Sequence, residues 1–116
     1  MSSIISADDF EDPRDFMRTF TKKYAKFTDD NFEFIKILAL DPTTDSCIGQ
    51  LVGKYNPKTI EYIKRNIKND NIDPVVLYRT LNGFLYWCSN DKYVGRSLID
   101  YEETVEKFAN NLAQCV

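Results

Sequence analysis

Histidine is absent from this chain of 116 residues. Its imidazole is the commonest general base near neutral pH, and it completes the Ser-His and Cys-His nucleophile systems. It is also the commonest metal ligand in proteins. The lack of histidine therefore removes several classes of catalytic and metal chemistry together.

Other motifs for metals and phosphates are lacking as well. The sequence contains no Cys-x-x-Cys pair and no glycine-rich phosphate loop. Two segments resemble calcium-binding loops in part, but Pro74 takes the place of the turn glycine in one, and Lys92 and Val94 occupy ligand positions in the other. Acidic clusters at residues 8–15 and 100–106 would allow a small hydrolase, but they are more typical of helix starts. We therefore expect a protein that is not an enzyme and has no cofactor or metal.

Cysteine is scarce, with Cys47, Cys88 and Cys115 far apart and odd in number. This pattern is typical of free thiols in a reducing compartment, so we expect a cytoplasmic protein. Residues 1–12 lack the features of a signal peptide, and no run approaches the ~18 apolar residues of a membrane span. Abundant Lys, Asn and Ile are typical of AT-rich genomes and suggest a viral or phage origin.

Glycine and proline are also rare, with four of each, whereas there are eight Phe, seven Tyr and one Trp. Few turn residues favour a small number of long elements, and many aromatic rings favour a well-packed core. The sequence predicts an all-α fold, a compact bundle of five to six helices. Residues 1–12 are expected to form a flexible acidic N-terminus and residues 13–116 a single helical domain.

Each proline follows Asp or Asn, at Pro13, Pro42, Pro57 and Pro74. An Asp or Asn at the N-cap followed by proline is typical of a helix start. We predict one helix from Pro13 to Phe27 and a second, capped by Thr28, that ends at Leu40. Later helices are expected to start at Asp41 or Thr44, after Asn56, after Asp73, and at Ser97 or Asp100.

Residues 84–95 allow two interpretations. The segment Phe84–Cys88 is apolar all round and follows Gly83. Either the helix continues through it as a central helix, or Gly83 ends that helix and a short hairpin follows. We favour the continuous helix, because a lone hairpin has little stability without a sheet to join.

Surplus aromatic residues and a glycine pair are the strongest signals of function. Tyr and Trp are enriched at protein interfaces, and glycines four residues apart on a helix allow close approach of another backbone. The core and a tight helix crossing within the chain would also explain these residues. The predicted interface consists of Tyr78, Tyr86, Trp87, Tyr93, Gly49 and Gly53.

A set of basic residues provides an alternative. Two groups are separated in sequence and would form a phosphate-contacting face only if they converge: Lys22, Lys23, Lys26, Lys58, Lys64, Arg65 and Lys68. The net charge of −3 argues against a nucleic-acid partner. The leading hypothesis is a non-enzymatic protein-binding or adaptor module with a protein partner or a second copy of itself. The alternative is a nucleic-acid-associated protein.

Overall fold

Five helices make up the described part of the chain. The computed structural model describes residues 9–40, 47–95 and 100–116, and within these it describes only the backbone of residues 38–40 and 47–55. The helices are α1 (Pro13–Asp30), α2 (Phe32–Leu40), α3 (Cys47–Ile67), α4 (Pro74–Val94) and α5 (Tyr101–Cys115). No strand occurs among these residues. The predicted all-α bundle is confirmed.

Three helices begin at an aspartate N-cap. The Asp12 carboxylate accepts from Arg14 N, that of Asp73 accepts from Val75 N and Val76 N, and that of Asp100 accepts from Glu103 N. Proline follows directly in α1 and α4, where its missing N–H costs nothing. The predicted starts at Pro13 and after Asp73 are confirmed, and Asp100 caps the last helix. The alternative cap Ser97 and the predicted starts at Asp41 and Thr44 lie outside the described residues.

The predicted start after Asn56 is wrong. Helix α3 runs without interruption from Cys47 to Ile67 and contains Pro57. The side chain of Asn56 does not cap a helix there, because its Oδ1 accepts a hydrogen bond from Tyr78 Oη at 3.0 Å. The second half of α3 buries a continuous stripe of Thr59, Tyr62, Ile63, Asn66 and Ile67. This burial offsets the hydrogen bond that proline removes inside a helix.

The boundary between α1 and α2 also differs from the prediction. Helix α1 continues past Phe27 to Asp30, and Thr28 is a buried residue within it rather than a cap. The break comes at Asn31, whose backbone N and side-chain Nδ2 both donate to Phe27 O. These two bonds close the last turn of α1.

Helix α4 resolves the ambiguity at residues 84–95. It passes through Gly83 and ends at Gly95, which has φ 75° in the left-handed region. The continuous-helix interpretation is confirmed, and the hairpin does not form. A residue without Cβ adopts this φ at the helix end with little cost.

The core lies between α1, α3, α4 and α5. Phe16 and Phe20 of α1 pack against Tyr62 of α3, and Leu81 and Leu85 of α4 are buried with them. On α5 the buried residues Ala109 and Ala113 are small. The division of the chain at residue 12 stays a prediction, while Phe10, which precedes that boundary, packs edge-on against Phe16.

Candidate protein-binding surface

Helix α4 is apolar on both sides. Only three of its 21 residues carry a charge: Arg79, Asp91 and Lys92. The inner side contributes Leu77, Leu81 and Leu85 to the core. A helix of a small bundle normally presents charged residues on the opposite side. In α4 that side is largely uncharged.

We call this side the α4 outer face. It consists of residues that alternate at spacings of four and three, which places them on one line along the helix: Val76, Thr80, Gly83, Trp87, Asn90 and Val94. Val76 is 63 % exposed, Trp87 59 % and Val94 50 %. Three exposed apolar side chains on one uncharged line of a helix mark an interaction site more strongly than scattered ones do.

Aromatic rings support the outer face along one flank. Phe32 of α2 is buried and stacks against Tyr86 at 5.8 Å and against Tyr93 at 5.1 Å between ring centroids. Tyr86 in turn meets the Trp87 ring edge-on at 5.6 Å. Contacts of this kind restrict the rings before any partner binds, so less conformational entropy is lost on association.

The other flank is formed by Phe84. Its ring stacks on Phe108 of α5 at 4.0 Å, yet Phe84 stays partly exposed. The outer face is therefore bordered by packed rings on both sides.

The C-terminal end of α4 is tied to α1. Lys92 Nζ lies 3.0 Å from Asp29 Oδ2 and 4.7 Å from the centre of the Tyr101 ring. The hydrogen bond to the Asp29 carboxylate raises the pKa of Lys92 above its ordinary value. Ser89, buried on the inner side, donates to Asp29 Oδ1 at 3.3 Å. These contacts hold the helix segment that carries Trp87 and Val94.

Five of the seven predicted basic residues interact within the chain. Lys22 pairs with Glu106 at 2.9 Å, Lys26 with Asp30 at 2.7 Å, and Arg65 with Asp9 at 2.7 Å. Lys68 Nζ donates to the backbone carbonyls of Phe10 and Glu11. Lys58 also interacts within the chain, and Lys23 and Lys64 are exposed.

Basic residues at the end of α3 and directly after it border a groove of mixed charge. Its lining includes Lys64, Arg65 and Lys68 together with Asp70 and Asp73. The basic residues of α1 do not line this groove. One of them, Lys22, contacts α5 through Glu106. Acidic neighbours at both places reduce the local positive field that phosphate binding requires.

Asn66 holds the segment before α1 against α3. It is fully buried, its Oδ1 accepts from Phe10 N at 2.8 Å, and its Nδ2 donates to Tyr62 O at 3.0 Å. The Arg65–Asp9 pair and the Lys68 bonds act on the same segment. The contacts of Arg65 and Lys68 thus have a structural explanation.

The predicted interface residues separate into three groups. Tyr86, Trp87 and Tyr93 meet on the same side of α4. Tyr78 does not join them, because it is 2 % exposed and lies in the core next to Tyr24. Gly49 and Gly53 lie within α3, in the stretch whose side chains and their surroundings are outside the described residues.

Several residues of the outer face were not among those predicted from the sequence: Val76, Thr80, Gly83, Asn90 and Val94. The signal that could have found them is the scarcity of charge on a helix of 21 residues. Once residues 84–88 are helical, Tyr78 and Trp87 are nine residues apart, and about 100° per residue puts them on opposite sides.

Cysteine and acidic side chains are the remaining candidates for metal or thiol chemistry among the described residues. No group of three or more Cys, Asp or Glu residues there could hold a metal ion. Burial raises the pKa of the Cys88 thiol, with a further contribution from Asp91, so the thiolate is disfavoured. None of the described helices is long and apolar enough to cross a membrane.

Comparison with known proteins gave no significant match to a family model, to a curated protein or to a solved structure. The α4 outer face and its surroundings are therefore the features of the molecule that bear on function.

Proposed function

We propose that this protein is a non-enzymatic protein-binding module, and that its partner covers the α4 outer face. The observation that carries the proposal is the combination of high exposure and low charge along that face, centred on Trp87. Tryptophan at the centre of an apolar patch with restricted neighbours has the properties of a binding hot spot.

Binding of a partner removes the apolar surface of the outer face from water. Exposed apolar area costs about 25 cal/mol per Å², and covering it on binding recovers that free energy. Phe32, Tyr86 and Phe108 already restrict the neighbouring rings, so the loss of side-chain entropy on binding is small. A partner with an apolar helix or groove suits this surface.

The test is affinity capture from native lysate with wild-type protein and two variants. Trp87→Ser removes the centre of the face. Ile37→Ser is a matched control on α2, because Ile37 is 58 % exposed and Trp87 is 59 % exposed. We expect a protein partner that survives nuclease treatment, is kept by Ile37→Ser, and binds Trp87→Ser about thirty-fold more weakly, since a hot spot contributes about 2 kcal/mol or more.

Two results would contradict the proposal. Equal capture by Trp87→Ser and wild type would remove the outer face from the binding site. Recovery that depends on nucleic acid would favour the alternative of a nucleic-acid-associated protein. Lys22, Lys26, Arg65 and Lys68 have acidic or backbone partners, and no specific observation favours that alternative.

The location and origin remain proposals from the sequence. We propose a reducing, cytoplasmic environment, because the cysteines are few, odd in number and far apart. The viral or phage origin is a hypothesis from composition alone.

A further inference from the structure

The residues on the α4 outer face are ordered in a way that matches the same face on a second molecule. Counting inward from both ends, the positions fall into three pairs about a centre at Leu85. Val76 pairs with Val94, Thr80 with Asn90, and Gly83 with Trp87. The first pair joins two apolar residues, the second joins two polar residues, and the third joins the smallest residue of the face to the largest.

Two antiparallel helices related by a two-fold axis bring such pairs together. In an antiparallel pair, residues at equal distances on either side of the axis face each other, so each match occurs twice. The alternating spacing of four and three is that of the contact line in antiparallel coiled coils. We infer that the α4 outer face binds a second copy of this chain, antiparallel, with Trp87 of each copy seated over Gly83 of the other.

Gly83 is the residue that the single chain does not explain. It lies inside α4, where glycine favours the helix less than alanine does. A Cβ added at Gly83 would meet no atom within 4 Å, so the monomer has no steric need for glycine there. A second molecule that packs closely against α4 would require glycine at position 83, because only glycine leaves room for an indole ring against the helix backbone.

The charges of the face permit self-association. None of the six positions is charged, so two copies meet without like charges opposite each other. Arg79, Tyr86 and Tyr93 follow one another at intervals of seven residues, so they lie on the same flank of α4. In the antiparallel pair Arg79 of one copy lies beside Tyr93 of the other, where a cation–π contact stabilises the complex.

The exposed area indicates a weak dimer. The exposed parts of six apolar side chains (Val75, Val76, Phe84, Trp87, Tyr93 and Val94) amount to roughly 500–600 Å² per chain, taking 150–250 Å² for an aromatic side chain. A pair that covered all of this area would bury at most about 1,000–1,200 Å², at the lower limit of specific interfaces. We expect a monomer–dimer equilibrium in the micromolar range, which leaves the face available to other proteins at low concentration.

The first experiment measures molar mass by sedimentation equilibrium over a range of about 1 to 500 µM, which brackets the affinity expected for an interface of this size. We expect the wild-type protein to move from 13.5 kDa towards twice that mass as concentration rises. Gly83→Leu should remain monomeric, because leucine fills the place of the indole. Leucine also favours helix over glycine, so loss of the dimer cannot be attributed to unfolding if the circular dichroism is unchanged.

A charge-pairing experiment tests the antiparallel arrangement itself. The double variant Thr80→Glu with Asn90→Glu puts like charges opposite each other twice, and we expect at least tenfold weaker association at low salt. The matched variant Thr80→Glu with Asn90→Lys has charges at the same positions. In an antiparallel pair these charges attract, so the dimer should persist within a few-fold of the wild-type affinity.

A wild-type protein that stays at 13.5 kDa at the highest concentration overturns the inference. So does equal weakening by the two double variants, because in a parallel pair residue 80 faces residue 80 and both variants repel.

The inference rests on the proposed function, since it names an occupant for the same face, but the two can fail separately. A monomeric wild-type protein whose captured partner is lost in Trp87→Ser overturns the dimer and leaves the binding module in place. A dimer with no captured partner supports the inference and limits the function to self-association.

Discussion

Three polar side chains form a hydrogen-bonded chain at the edge of the core. Tyr24 Oη lies 3.4 Å from Tyr78 Oη, and Tyr78 Oη donates to Asn56 Oδ1 at 3.0 Å. Burial raises the pKa of Tyr24 above its ordinary value of 10.0, and the nearby Tyr78 raises it further. The native state therefore retains a phenol proton that the unfolded chain releases more easily.

This difference predicts how stability depends on pH. Because the folded pKa is raised, the contribution of Tyr24 is fully present below about pH 10 and is lost as the pH rises towards the folded value. Above pH 10 the free energy of unfolding should fall by up to about 1.4 kcal/mol per pH unit from this one group.

The variant Tyr24→Phe checks this assignment. We expect its urea-unfolding free energy to decline less steeply than that of wild type between about pH 10 and 11, because it lacks the titrating phenol. Measurements of both proteins at pH 7 provide the baseline. Parallel declines in the two proteins would mean that Tyr24 is not the group responsible.

At the scale of single elements, α4 contains one glycine and is capped by another, and the two have opposite requirements. Gly83 lies in the helix interior, and Gly95 ends the helix with φ 75°. A Cβ meets no atom at either position, so space is not what distinguishes them. The two glycines differ in backbone conformation.

Substitution by alanine should therefore act in opposite directions. Gly83→Ala should stabilise the monomer by about 1 kcal/mol through helix propensity. Gly95→Ala should destabilise it by about 1–2 kcal/mol, because a side chain is strained in the left-handed region. Urea unfolding at protein concentrations well below one micromolar measures both without interference from a dimer.

Each variant serves as the control for the other. If both changes stabilise, Gly95 does not hold the left-handed conformation in solution. If both destabilise, some contact at Gly83 matters to the single chain.

At the scale of the whole molecule, α5 packs against the core partly through small side chains. Ala109 and Ala113 are fully buried and lie one turn apart on the same side of this helix. Small side chains on a contact line allow two helices to pack closely. Larger residues there would push α5 away from the core.

Ala109→Leu is expected to destabilise the fold by about 1–3 kcal/mol through overpacking. Gln114→Leu, at an exposed position of the same helix, should change stability by no more than about 0.5 kcal/mol. Thermal or urea unfolding compares the two. An equal effect at both positions would show that Ala109 does not lie at a close contact.

The errors made from sequence have a common cause. Asp-Pro was a reliable sign of a helix start at Pro13 and Pro74, where the aspartate was free to cap. At Pro57 the same local pattern failed, because Asn56 bonds to Tyr78 from another helix. At Thr28 the hydroxyl-bearing residue is buried within α1 instead of capping α2. Local chemistry cannot reveal contacts between helices that are distant in sequence.

The candidate site was only partly visible in the sequence. The excess of Tyr86, Trp87 and Tyr93 was recognised as an interface signal, and all three lie on one side of α4. Phe32 is buried, and its stacking on Tyr86 and Tyr93 makes it a support of the outer face. No periodic pattern predicts which ring of α2 meets which ring of α4.

The sequence by itself determined the class of fold and most helix starts, because capping and helical periodicity act over a few residues. It also excluded histidine chemistry. Only the tertiary structure decided which side of α4 faces the core, since the helix is apolar on both sides and its own pattern does not choose. That choice depends on the shapes that α1, α3 and α5 present, and it leaves Trp87 outside and Tyr78 within.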